Sequence, residues 1–176
     1  TEMFSKDSIP VICADKLVHQ IYELTESLDF VERNFPGTVE NGKINFKKLR
    51  EIFFKDIHSK QVIEKYIYEK LPQFLQQAVF QIPNTKTVVY DIPLLYERGF
   101  ENLMDQVVLV YAPRETQLQR LIARDHITQE LAEEILKKQI SIEEKKIRSA
   151  HVIDNSLDLQ HLGNSYLSIR ERLFIH

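Results

Sequence analysis

Thr87-Val88-Val89-Tyr90-Asp91-Ile92-Pro93-Leu94-Leu95-Tyr96-Glu97 is the stretch on which the fold turns. Its first half is a continuous run of β-branched and apolar residues. That is the pattern of a strand buried on both faces, as in a parallel sheet with helices on each side. Asp91 brings a carboxylate to the end of the strand, and Pro93 forces the chain to leave it. Leu94 and Leu95 then form an apolar wall with Glu97 beyond it. A strand ending in such an aspartate resembles the acidic motif of nucleotide-binding folds, where the carboxylate holds the shell of a magnesium ion. It is equally an ordinary strand-to-helix turn with two core leucines, so this motif alone decides nothing chemical.

Three more segments read as strands: Ile9 to Cys13, Gln106 to Ala112 and His151 to Asp154. The second of these carries Val107-Val108-Leu109-Val110, again a run expected to be buried on both faces. Helical spacing fills the intervals. Leu17, Val18, Ile21, Leu24 and Leu28 mark a helix over Lys16 to Leu28, with Asp15 as its N-cap. Further helices are expected over Phe46 to Phe54, Ser59 to Ile82 (bent or split at Pro72), Glu115 to Arg124, Thr128 to Ile140 and Leu157 to Leu173. Thr128 starts a capping box whose usual acidic third residue is Leu131, so half a cap is expected there. Strands alternating with helices predict an α/β fold with a mostly parallel sheet. No repeat, low-complexity tract or Gly/Pro/Ser-rich linker interrupts it, and one domain is the economical reading.

Bulk properties narrow the function classes. No apolar run approaches the ~20 residues that cross a bilayer, and no basic region followed by an apolar stretch reads as a secretory signal. The single cysteine, Cys13, excludes an internal disulfide and fits a reducing, cytoplasmic setting. A formal net charge of −3 offers no general attraction to nucleic acid, so an anionic ligand must meet a local basic cluster. The six histidines are scattered without ligand spacing, and no metal site built from side chains alone is expected.

Two constellations carry chemistry. Ile9-Pro10-Val11-Ile12-Cys13-Ala14-Asp15 delivers Asp15 beyond the carboxyl end of a strand, where open α/β sheets bind ligands. There it suits a general base or an acceptor that orients a substrate hydroxyl, and capping the next helix is compatible with either. In Ala112 to Asp125, Arg120 and Arg124 stand four apart on one helix face. Guanidinium forks suit triphosphate oxygens, and the competing reading is a solvated face paired with Asp125 and Glu115. Glu130 to Lys146, with its paired acidic and basic residues, reads as exposed helices laced by ion pairs, although Lys145 suits a phosphate. Gly37 to Ile44 matches the G-x-x-x-x-G-K part of a phosphate-binding loop but has Ile44 where a magnesium-ligating hydroxyl is needed. It also follows a helix rather than a buried strand. It reads as a surface turn containing Asn41-Gly42.

The ensemble resembles the dephospho-coenzyme A kinase family from Thr1 almost to the C-terminus. The family pattern runs D-A-D, a helix rich in Phe, Leu and Arg, P-L-L-x-E, A-P-x-x-x-Q-x-x-R-x-x-x-R-D, a lid, and V-I-D-N. Its counterparts are Cys13-Ala14-Asp15, Ile44 to Phe54, Pro93 to Glu97, Ala112 to Asp125, and Val152-Ile153-Asp154-Asn155, with Gln139 and Lys145 in the lid. The resemblance implies a three-layer P-loop kinase-like domain: a core over about 1–28, 84–113 and 149–176, a helical substrate-binding region over about 29–83, and a helical lid over about 114–148.

It also implies transfer of the γ-phosphoryl of ATP, with Mg2+, to the ribose 3′-hydroxyl of dephospho-coenzyme A, by a monomer or small homo-oligomer. On this likeness Asp15, Arg120 and Arg124 are catalytic, and Asp91, Pro93, Leu94 and Glu97 serve the acceptor. Arg120, Lys145 and Asn155 serve the nucleotide. Partners are small molecules, with neither nucleic acid nor membrane.

The chain departs from the pattern at Cys13 in place of an aspartate, Tyr68-Glu69 in place of His-Pro, Ala150 in place of an aspartate, and Ser156 where a glycine is usual. Thr1 to Phe4 resembles the helix that follows the family's G-G-x-x-S-G-K-S-T loop. A preceding segment of roughly 15 to 20 residues holding that loop is therefore expected in the native chain. Its strand normally lies at the sheet centre, where loss would leave unpaired backbone groups costing about 1–3 kcal/mol each. Without that segment, the sequence as it stands is expected to be inactive. Two other readings remain open at this stage: a non-catalytic nucleotide- or coenzyme A-binding relative, and an α/β interaction domain.

Overall fold

A computed structural model describes residues 1–174. Two compact units divide the chain, Thr1–Pro93 and Leu94–His176. Each is built around a pair of parallel strands closed by a helical crossover.

The first unit runs α1 (Glu2–Lys6), β1 (Val11–Cys13), α2 (Ala14–Glu23), α3 (Thr25–Asn34), β2 (Val39–Glu40), β3 (Lys43–Ile44), α4 (Phe46–Lys55), α5 (Ile57–Phe80) and β4 (Val89–Asp91). β1 and β4 pair in parallel, Val11 with Val89, Ile12 with Tyr90 and Cys13 with Asp91. The helix expected over Lys16 to Leu28 is two helices, because Leu24 is extended at φ −64° and ψ 139°. The break changes the buried face: α2 buries Leu17 and Ile21, whereas α3 buries Ser27 and Val31. Ser27 Oγ lies 3.0 Å from Tyr66 Oη, and the Tyr66 ring stacks on Phe30 at 3.9 Å. Asp15 is not the N-cap of α2. Helical backbone already begins at Ala14, so the cap position falls to Cys13, which makes no side-chain capping bond.

Asp56 starts α5 by accepting from the amides of His58 and Ser59, both at 3.0 Å. The helix continues through Pro72 without splitting. Proline there removes one backbone donor, but Ile63, Ile67, Leu71 and Leu75 form an apolar stripe at helical spacing, each at most 3% exposed. Burial of that stripe outweighs one missing bond. Leu71→Ala is expected to cost roughly 2–5 kcal/mol, read as a lower urea midpoint at unchanged slope.

Asn41 (φ +51°) and Gly42 (φ +70°) both take left-handed backbone between β2 and β3. That is the two-residue hairpin turn Asn-Gly favours. The Glu32 carboxylate accepts from the amides of Gly37 and Val39 at 2.9 and 3.1 Å. Two amides of the near-match to a phosphate-binding loop are thus already satisfied by an anion of the chain itself.

The second unit begins with two 3-10 turns, Tyr96–Arg98 and Phe100–Leu103, separated by Gly99 at φ +68°. Then come β5 (Val108–Tyr111), α6 (Arg114–Asp125), α7 (Gln129–Lys137), α8 (Ile142–Arg148), β6 (His151–Asp154) and α9 (Leu159–Phe174). β5 and β6 pair in parallel from Val108–His151 to Tyr111–Asp154. Ile153 of β6 and Tyr166 and Ile169 of α9 are buried. Thr128 makes the expected half cap, its hydroxyl accepting from Leu131 N at 3.3 Å. Ser141 caps α8 the same way through Glu144 N at 3.1 Å.

The expectation of strands buried on both faces is not met. β4 is half-buried along its length, and Val110 in β5 is 52% exposed. Each parallel strand has one strand neighbour among the described residues, which leaves its other edge unpaired.

Candidate active site

In the first unit the parallel register sets Cys13 directly across from Asp91, at the carboxyl ends of β1 and β4. Strand neighbours lie about 4.8 Å apart, so a carboxylate at position 13 would crowd that of Asp91. Cys13 relieves the like-charge contact. Asp91 is half-buried, and Asp15 lies in the first turn of α2, exposed, with no hydrogen-bond or ion-pair partner among the described residues. An unpartnered carboxylate at a strand's carboxyl end is available to a substrate hydroxyl. Pro93, exposed, ends this unit.

In the second unit, Leu94 is half-buried at its start. Arg120 and Arg124 both lie on exposed positions of α6. Arg120 donates from Nη1 to the carbonyl of Asn155 at 2.8 Å, and Asn155 N donates to Tyr111 O at 2.7 Å. The loop after β6 is thereby tied to both α6 and β5. Asp154 holds the same loop from below: its Oδ1 accepts from Ser156 N at 2.8 Å, and its Oδ2 lies 3.1 Å from His161 Nε2. The Ser156 bonds, with a smaller contribution from His161, hold the Asp154 carboxyl below the usual aspartate range. Arg124 forms a two-pronged pair with the adjacent Asp125, at 2.6 and 2.8 Å. That contact pulls the Asp125 carboxyl down as well.

Lys145 and Glu97 do not stand open to solvent. Their charged ends lie 2.7 Å apart, with side chains 10% and 13% exposed. The structure therefore brings together Asp91 with the Cys13–Asp15 turn, Arg120 with Asn155, and Glu97 with Lys145. Two further contacts join residues 96–101 to residues 148–149: Tyr96 Oη lies 2.7 Å from Ser149 Oγ, and Glu101 accepts from Arg148. Nothing local in the sequence marks pairs separated by that much chain.

Among the described residues, no group of three or more His, Cys, Asp or Glu side chains could hold a metal ion alone. Asp91, half-buried at the carboxyl end of β4, fits a different demand. Magnesium keeps most of its waters and takes one or two carboxylates beside substrate phosphates. No helix among the described residues is long and apolar enough to cross a membrane.

Parallel strands that deliver carboxylates to their carboxyl ends, with a helical crossover bearing spaced arginines, define an α/β protein of the nucleotide-kinase type. Residues 1–161 match the family model described as dephospho-CoA kinase, and the chain belongs to that family. It is 35% identical over 176 residues to the dephospho-CoA kinase of Bartonella quintana (strain Toulouse), covering 98% of this chain and 89% of that one. With the Nitrobacter winogradskyi dephospho-CoA kinase it shares 37% over 158 residues, or 88% of this chain and 78% of that one. Among solved structures, the dephospho-CoA kinase from Campylobacter jejuni superposes with a TM-score of 0.73 at 27% identity, over 98% of this chain and 88% of that one. TT1252 from Thermus thermophilus superposes at 0.82 with the same coverage and 24% identity, a likeness of fold alone.

Proposed function

We infer that this chain is the kinase that transfers the γ-phosphoryl of ATP to the ribose 3′-hydroxyl of dephospho-coenzyme A, the last step of coenzyme A synthesis. The observation that carries the reading is Asp15, exposed and without a partner among the described residues, beyond the carboxyl end of β1 in a chain that belongs to this family. In this reading Asp15 accepts the proton of the 3′-hydroxyl as its oxygen attacks the γ-phosphorus, and ADP leaves. Asp91 would hold the water shell of the Mg2+ that accompanies ATP and offsets charge on its phosphates.

Arg120 and Arg124 supply positive charge to the transferring phosphoryl group from a lid spanning about 114–148. Closure of the lid excludes water. Pro93 and Leu94 line the acceptor side, and the Asn155 loop, tied down by Arg120, faces the adenine. Glu97, on the acceptor side, and Lys145, on the phosphate side, act through each other, since each neutralises the other. Residues 29–83 form the helical substrate-binding region of a single P-loop kinase-like domain, which works in the cytoplasm.

A coupled ADP-release assay with ATP, Mg2+ and dephospho-coenzyme A tests the assignment on the full-length native protein. ADP release that depends on the acceptor is expected. Tight binding of both ligands without turnover would overturn it in favour of a non-catalytic relative, a reading with no observation in its support at present.

A further inference from the structure

Lys145 is buried at 8% exposure, in a run of charge that reads as a solvated helix face. Its ammonium lies 2.7 Å from Glu97 Oε1, and the same oxygen accepts from the amide of Ile140 at 3.0 Å. One carboxylate thus holds two points: the connector between α7 and α8, and α8 itself. Glu97 Oε2 is buried without a hydrogen-bond partner among the described residues, so the group is committed inward rather than to water.

Contacts around this pair run the same way. Ser149 Oγ donates to Lys145 O at 2.7 Å, so the proton shared between Tyr96 and Ser149 comes from the Tyr96 hydroxyl, 2.7 Å away. Arg148 sits 4.4 Å over the Tyr96 ring and also pairs with Glu101. Residues 96–101 therefore form a fixed post for residues 140–149. At the other end of the crossover, Gln117 Nε2 donates to Ala112 O at 2.7 Å and ties the start of α6 to the end of β5.

We propose that Glu97 is a positioning residue: through Ile140 and Lys145 it anchors the C-terminal foot of the helical excursion that carries Arg120 and Arg124. This rests on the kinase reading for its purpose, not for its geometry. A buried pair suits such a role because its energy depends steeply on one arrangement. An exposed pair would hold nothing in place. Lys145 accordingly acts as part of the anchor and does not touch phosphate.

The test uses Glu97→Gln, Lys145→Met and the double variant in the full chain, by hydrogen exchange of residues 138–148 and by steady-state kinetics. Each single change leaves one buried charge without its counter-charge. Exchange of the Ile140 amide should then quicken by about tenfold or more, and kcat should fall by a similar factor, the scale of a coupled contact. In the double variant the side-chain amide oxygen introduced by Glu97→Gln still accepts from Ile140, and no charge is stranded. Protection and kcat should therefore both recover toward wild type.

An ATP KM raised above wild type in Lys145→Met and still equally raised in the double variant would make Lys145 a phosphate ligand and overturn the proposal. Unchanged kcat in the single variants despite faster exchange would overturn it too, leaving a purely structural pair. If the full-length native protein shows no turnover, the kinase reading fails, and the exchange pattern still decides whether the anchor exists: recovery in the double variant supports it and no recovery overturns it.

Discussion

Asp15→Asn is expected to lower kcat for phosphoryl transfer by about 10²- to 10⁴-fold, the range a positioned general base contributes. Asparagine keeps the shape of the side chain and one acceptor oxygen, so the acceptor hydroxyl can still be oriented. What it cannot do is take the proton. The KM for dephospho-coenzyme A should therefore move much less than kcat. Folding should be little affected, because Asp15 occupies the first turn of α2 without capping it and has no partner among the described residues to lose. Kinetics and a thermal melt on the same preparation separate the two effects. A variant with wild-type kcat would show that the aspartate has no proton to accept, and the mechanism would need another base.

The layout of this molecule was legible where local pattern and tertiary demand agree. His151 to Asp154 reads as a strand and is one, residue for residue. Ile9 to Cys13, Thr87 to Ile92 and Gln106 to Ala112 identify the other parallel strands to within two residues at each end. The apolar stripe of α5 survives Pro72 because a long buried face dominates a single lost donor.

Failures came where the deciding contact is remote in sequence. Leu24 sits inside a good helical pattern, yet the chain turns there so that Ser27 and Phe30 can meet Tyr66 on α5. The helix expected to reach Ile140 stops at Lys137, because the Ile140 amide goes to Glu97 instead of continuing the ladder. Lys145 belongs to a charge run indistinguishable from a solvated face, and Glu97, far back in the chain, makes its burial tolerable. Tyr22 is a milder example: burial, with Tyr68 and Glu64 of α5 nearby, pushes its phenol up to about 12, which no local pattern around it signals. Asp15 lies beyond the end of β1, where its place after the strand pattern puts it. The capping role assigned to it failed because Ala14 is already helical.

The second large effect separates the two arginines of α6. Arg124→Met is expected to lower kcat by on the order of 10³-fold, as when a guanidinium that stabilises a transferring phosphoryl group is lost. Lysine at this position should restore only part of the rate, since a point charge cannot reproduce the planar fork. Arg120→Met should act differently. It releases the Asn155 carbonyl as well as removing a charge, so the loop that faces adenine loosens and the KM for ATP rises together with a fall in kcat. The competing account treats Arg124 as one half of a surface pair with Asp125. Both side chains are exposed, and such a pair contributes between nothing and about 1 kcal/mol to stability. That account predicts a normal kcat for Arg124→Met and the same small change in stability for Asp125→Asn. The phosphoryl-transfer account predicts the opposite asymmetry. Asp125→Asn should leave kcat intact or improve it, because it frees the guanidinium, whereas Arg124→Met should nearly silence the enzyme. Measuring the two variants side by side decides between a solvated helix face and a catalytic one.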